Sequence, residues 1–181
     1  MKLHESISGR LRTFIEAQHV FFVATAPLSG DGHVNLSPKG LDTLRVIDEH
    51  TVAYLDLTGS GAETAAHLRE NGRITLMFCA FEGPPNIVRL HGRGRYVTPG
   101  DDEFEGWARR FPTHPGARGV VVVDVGRVSD SCGYAVPLMA YESDRDVLDS
   151  WTHNRGPDGL ARYRAEKNAT SIDGLPALAA D

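Results

Sequence analysis

Two short stretches gather side chains suited to polar or anionic groups. In VNLSPKG, residues 34–40, Val34 and Leu36 alternate with Asn35 and Ser37, as in a strand with one wet face. Gly30, Asp31 and Gly32 mark a turn before it. Pro38 has no backbone donor, so the strand ends there or lies at a sheet edge. Asn35, Ser37 and Lys39 then project together, and a lysine beside a serine offers a phosphate a point charge and a hydroxyl. In TGSGAET, residues 58–64, a glycine-containing loop enters a helix. Amides at a helix start favour an anion, and Thr58, Ser60 and Thr64 add hydroxyl donors. The same residues also read as ordinary capping, with Ser60 as cap and Glu63 completing a capping box. Neither stretch is a P-loop, because the order G-x-x-x-x-G-K-[ST] is absent.

Other reactive residue types have plainer readings. Arg89, Arg93 and Arg95 share a strand face with His91, the pattern of a wet face with cross-strand ion pairs. Cys132 has no accompanying nucleophile motif, and the eight histidines show neither H-x-x-x-H nor H-E-x-x-H spacing. No metal site and no catalytic residue is therefore assigned. Cys79 and Cys132 are far apart and have no zinc-type spacing.

The elements that position these residues follow from the apolar pattern. The chain has 181 residues, 41% of them hydrophobic, enough for one domain with its own core. A net charge of −5 gives no basic face for nucleic acid. No apolar run approaches the roughly 20 residues of a membrane span, and the first residues lack the apolar region of a secretory signal. A cytoplasmic protein without membrane or nucleic-acid partners is expected. Helices are predicted over 6–18, 62–72, 101–111, 144–154 and 157–168. Strands are predicted over 20–26, 34–39, within 44–57 on both sides of a turn at 48–50, and over 73–81, 87–97 and 119–128. Short strands with few helices between them predict a mainly β chain, a six- to seven-stranded antiparallel β-barrel with flanking helices. The single domain, 1–181, divides into a barrel core over 10–128 and an irregular, helical C-terminal extension over 129–181.

The order of these pieces, with VNLSPKG after the second strand and TGSGAETAAHL between two later ones, resembles the pyridoxamine 5'-phosphate oxidase-like family of flavin-binding split barrels. The resemblance covers roughly residues 10–128. It is closest to a subgroup of small proteins in which SCGYAVP and KNATSIDGLP also occur near the C-terminus. It implies that the barrel is a split β-barrel, with FMN in a groove between the two subunits of a homodimer, and a small-molecule substrate of unspecified identity for an oxidoreductase. By that match Asn35, Leu36, Ser37 and Lys39 border the flavin, and Thr58, Ser60 and Thr64 sit at its phosphate. A deazaflavin (F420), haem, or a barrel that binds other ligands without a cofactor are the alternatives within the resemblance. The chain departs from the oxidase pattern in one respect: an Arg-Lys pair of the phosphate loop is replaced by Glu63 and Thr64. Lys39, Arg73 and the arginines at 89–95 are the candidate substitutes for the lost charge. The arginine-bearing C-terminal stretch of the vitamin B6 oxidase itself is not recognisable.

Overall fold

The computed structural model describes residues 1–178, so the last three positions of the predicted extension lie outside the described residues. Eight strands form one antiparallel sheet. They are β1 (Lys2–His4), β2 (Phe21–Thr25), β3 (Asn35–Lys39), β4 (Leu44–Val46), β5 (Thr51–Leu57), β6 (Arg73–Cys79), β7 (Ile87–Val97) and β8 (Ala117–Ser131). Four helices flank it: α1 (Gly9–Glu16), α2 (Glu63–Glu70), α3 (Phe104–Ala108) and α4 (Val147–Lys167). Seven strands run in the order β3-β2-β6-β7-β8-β5-β4, and β1 adds to β8. The predicted mainly β split barrel is thus the observed fold. The three-residue β1 is the strand that apolar alternation did not reveal.

The inner faces of the strands make the core. Phe21, Val23, Val52, Tyr54, Leu76, Phe78, Val88, Leu90, Val121 and Val123 are buried together, and α1 closes one end with Leu11 and Ile15. β8 is the longest strand because it serves both edges of this core. It pairs with β7 along most of its length, with β5 through Thr51–Leu57, and with β1 at its far end. The outer face of β5 and β8 is covered by α3, where Trp107 and Phe104 pack on a second apolar cluster. At the end of α2, Gly72 adopts φ +70°, a left-handed value that glycine takes without a Cβ penalty and that lets the chain turn directly into β6. The helices predicted at 144–154 and 157–168 are the two arms of α4, broken at Gly156 and Pro157.

β3 corrects one expectation. Val34 and Leu36 are not turned into the core: they are 73% and 64% exposed, whereas Asn35, Ser37 and Lys39 are half-buried. The alternation is real and its sense is reversed. β3 is a free edge of the sheet, so Pro38 sits in the strand with β2 as its one neighbour.

Candidate functional site

The polar face of β3 is the starting point. Lys39 leaves one end of the sheet and its Nζ donates to Asp56 Oδ1 at 2.8 Å, on β5, next to last at the other end. This contact spans the seam of the barrel. Arg118 on β8 donates through Nε to Asp56 Oδ2 at 2.8 Å, and the Tyr96 hydroxyl on β7 donates to the same oxygen at 2.9 Å. Asp56 is 2% exposed. Burial would push its carboxyl up; Lys39 and Arg118 outweigh that and hold it well below the usual carboxylate range. Burial pushes the Tyr96 and Tyr54 hydroxyls well up, and the Asp56 charge adds to the effect. Two cations around one carboxylate leave this cluster a net charge of +1. Lys39 Nζ also lies 5.8 Å from the Tyr54 ring centre, within cation–π range.

Toward the other end of β3 a chain of neutral hydrogen bonds takes over. Ser37 Oγ donates to Asn35 Oδ1 at 3.0 Å. Asn35 Nδ2 donates to Thr64 Oγ1 at 3.1 Å and to Thr25 Oγ1 at 3.3 Å. Thr25 Oγ1 and His67 Nδ1 are 2.9 Å apart. His67 is fully buried, and its Nε2 has no hydrogen-bond partner among the described residues. Burial lowers the imidazole's affinity for a proton, and the carboxylates of Asp173, Glu63 and Glu70 only partly offset this.

The loop before α2 is held from behind. Thr58 Oγ1 donates to Gly116 O at 2.8 Å and accepts from Arg164 Nε at 3.0 Å. Gly59 O accepts from Asn168 Nδ2 at 2.9 Å and from Arg118 at 3.3 Å. Ser60 is exposed. The predicted capping box is absent, because Ala62, not Ser60, precedes the helix and no side chain caps it. Glu63 turns instead to the C-terminal segment, where its Oε1 accepts from the Ile172 amide at 3.3 Å. The next residue, Asp173, receives the backbone and ring of His33 at 2.8 and 2.6 Å.

Two of the cavities along β3 are lined by predicted site residues. One, of about 400 Å³, is lined by Val34, Asn35, Leu36, Ser60, Gly61, Glu63 and Ile172. The other, of about 520 Å³, opens at Pro38 and Lys39 against Leu55, Leu57, Leu148 and Trp151 of α4. Of the predicted residues, Asn35, Leu36 and Ser60 share the first cavity, Thr64 joins it through Asn35, and Lys39 faces the second. Ser37 lines neither cavity and is bonded to Asn35, and Thr58 is buried. The candidate substitute cations are engaged elsewhere: Arg73 with Pro27 O, Arg89 with Ser131, Arg93 with Asn71 O and Arg95 with Glu103. Sequence reasoning missed Asp56, Tyr96 and Arg118. One signal was present, a lone acid in the otherwise apolar run VAYLDL. Among the described residues no group of histidines, cysteines and carboxylates is placed to hold a metal, and no helix is long and apolar enough to cross a membrane.

A seven-stranded antiparallel path, closed by an ion pair across its seam and flanked by helices, defines the split-barrel class. Residues 7–132 match the family model for pyridoxamine 5'-phosphate oxidase. The chain is 39% identical to the pyridoxamine 5'-phosphate oxidase family protein UstO of Aspergillus flavus, over 97% of this chain and 77% of that one. Among solved structures it is similar to HupZ of Group A Streptococcus, with a TM-score of 0.55 at 23% identity over 74% of this chain and 99% of that one. It is similar also to a candidate pyridoxamine 5'-phosphate oxidase of Lactobacillus delbrueckii, with a TM-score of 0.55 at 18% identity over 71% of this chain and 99% of that one. The two structural likenesses bear on the fold alone. The chain belongs to the pyridoxamine 5'-phosphate oxidase family.

Two outcomes follow from this geometry. Asp56→Asn leaves Lys39 and Arg118 facing a neutral amide in a buried place. It lowers unfolding free energy in equilibrium urea denaturation by about 3 to 5 kcal/mol, and a loss below about 1 kcal/mol rejects the seam as described. His67 gives a pH signature. Its folded proton affinity is depressed, so below about pH 6.5 the unfolded chain binds the proton first and stability falls as pH falls. The stability advantage of the wild type over His67→Gln therefore shrinks from about pH 7 to pH 5, by at most about 1.4 kcal/mol per pH unit. A difference that stays constant over this range overturns the assignment.

Proposed function

We propose that this protein is a flavin-dependent oxidoreductase acting as a homodimer, with FMN the flavin implied by the family resemblance. The observation that supports it most is the edge strand β3. Its inner face presents half-buried Asn35, Ser37 and Lys39 in line with the start of α2, and its outer face presents Val34, Leu36 and Pro38 to solvent. Asn35 and Ser37 are bonded to each other and to Thr64 and Thr25 and so fix the strand, while Lys39 keeps ammonium hydrogens beyond the one given to Asp56 for the polar edge of a flavin. The start of α2 does not suit a bare phosphate, since no lysine or arginine lines that cavity and Glu63 does. A bound flavin supplies hydride and electron transfer; the protein supplies orientation and electrostatics. The net positive charge of Lys39, Arg118 and Asp56 favours negative charge developing at the Lys39 end of the strand.

The outer face supports the homodimer. Pro38 is paired with Phe22, and Phe22 with Met77, so the exposed edge continues into an apolar sheet face. Phe22 and Pro38 share a cavity with Phe81, Met139 and Tyr141, and the segment that carries the last two also exposes Tyr134 and Leu138. An apolar surface of this continuity fits a second copy of the chain. The Glu63 carboxylate favours one other reading, a barrel that has given up the cofactor and binds another ligand.

The test is the visible spectrum of the purified protein after incubation with excess FMN and desalting, taken with its mass in solution. Bands near about 450 nm, the range of an oxidised flavin, in a particle of twice 19.7 kDa are expected. A protein left colourless by FMN and, in a parallel incubation, by riboflavin supports the cofactor-free reading. A different absorption maximum points to haem or a deazaflavin. A monomer that retains flavin rejects the shared groove.

A further inference from the structure

We infer that the groove between β3 and the start of α2 takes a flavin by its uncharged ribityl hydroxyls and disfavours a terminal phosphate, so that Glu63 makes this chain selective for riboflavin over FMN. The inference rests on flavin binding itself. The chain's own carboxylate stands in the first turn of α2, where a helix start otherwise favours an anion. Glu63 is the first residue of the helix, and its Oε2 is packed so closely on Gly61 that a Cβ there would lie 2.4 Å away. Its Oε1 accepts from the Ile172 amide. A glycine at 61 is thus what lets the carboxylate fold back across the loop.

No lysine or arginine lines the groove. The groove is lined by Asn35, Ser60 and Glu63 as its polar side chains, with Val34, Leu36, Gly61 and Ile172 between them. Asp173 lies next to Ile172 and carries the exposed His33 as its partner. The guanidinium of Arg118 is directed at Asp56 and at the backbone of Gly59, and Arg164 is bonded to Thr58 and Ala117 O. Neither arginine lines the groove. A carboxylate accepts hydrogen bonds from sugar-like hydroxyls and repels a phosphate. At a separation of about 6 Å, and even with the dielectric of bulk water, the repulsion between a carboxylate and a dianion is worth about tenfold in affinity.

The experiment compares riboflavin and FMN by titrating flavin fluorescence with the full chain, for wild type and Glu63→Gln. Wild type is expected to bind riboflavin about tenfold more tightly than FMN, and Glu63→Gln to bring the two together by tightening FMN. In wild type, raising salt from about 0.05 to 0.5 M tightens FMN and leaves riboflavin unchanged, because screening weakens a repulsion. This arm needs no variant to fold. FMN binding as tightly as riboflavin, or more tightly, in wild type overturns the inference while leaving flavin binding intact. Binding of neither flavin at about 0.1 mM overturns the flavin reading, and this inference with it.

Discussion

The buried carboxylate of Asp56 fixes the geometry on which the site depends. A charge this deep is costly unless it is paired, and here it meets an ammonium, a guanidinium and a phenol. The three donors come from β3, β8 and β7, strands that the sheet order places at one edge and in the middle, while Asp56 itself lies near the opposite edge. Replacing such a cluster by apolar side chains often leaves stability unchanged, so its value lies in what it specifies. It specifies where the free edge of β3 stands relative to β5. A slip of one residue in β3 would carry Lys39 to the outer face and Asn35 away from Thr64.

The same cluster reaches the loop that precedes α2. Arg118 contacts both Asp56 and the carbonyl of Gly59, and the β5–β8 register shifts between Asp56 and Leu57, where the chain leaves the ladder. From there the C-terminal part of the chain holds the loop. Arg164 engages Thr58, and Asn168 engages the carbonyls of Gly59 and Ser60. Ala177 and Leu178 pack on Ala62, Ala65 and Ala66 of α2. The seam, the loop and the C-terminal segment are therefore successive contacts of one connected network.

Much of the barrel was legible because strand periodicity is a local signal. The strand predicted over 87–97 is β7 from end to end, and the helix stop at Gly72 is where the φ of +70° lies. The facing of β3 was not legible. Alternation gives two faces without saying which one turns inward, and here hydrogen bonds and an ion pair outweigh the hydrophobicity of Val34 and Leu36. The α3 prediction over 101–111 overshot Phe104–Ala108, since acids and aromatics fit a turn as well as a helix. Asn35, Ser37 and Thr64 could be picked out as polar side chains from their own stretches, and the structure joins them by hydrogen bonds. The Asp56–Arg118 contact joins residues 62 positions apart, and no local pattern encodes such a meeting.

The departure from the oxidase pattern at 63 and 64 acquires a structural reason from these contacts. A carboxylate at the first position of a helix is favoured by the helix dipole, and Glu63 also accepts the amide of Ile172. Thr64 is buried and receives Asn35, a contact for which a lysine at that position would be too long. Both residues are thus satisfied by groups of this chain, one of them from the C-terminal segment. Restoring a basic pair would leave the Ile172 amide without its acceptor and would force a charged stem into the space of the Asn35–Thr64 contact. The loop at 58–64 and the segment at 168–178 thus act as one unit, in which the start of α2 is a contact within the chain.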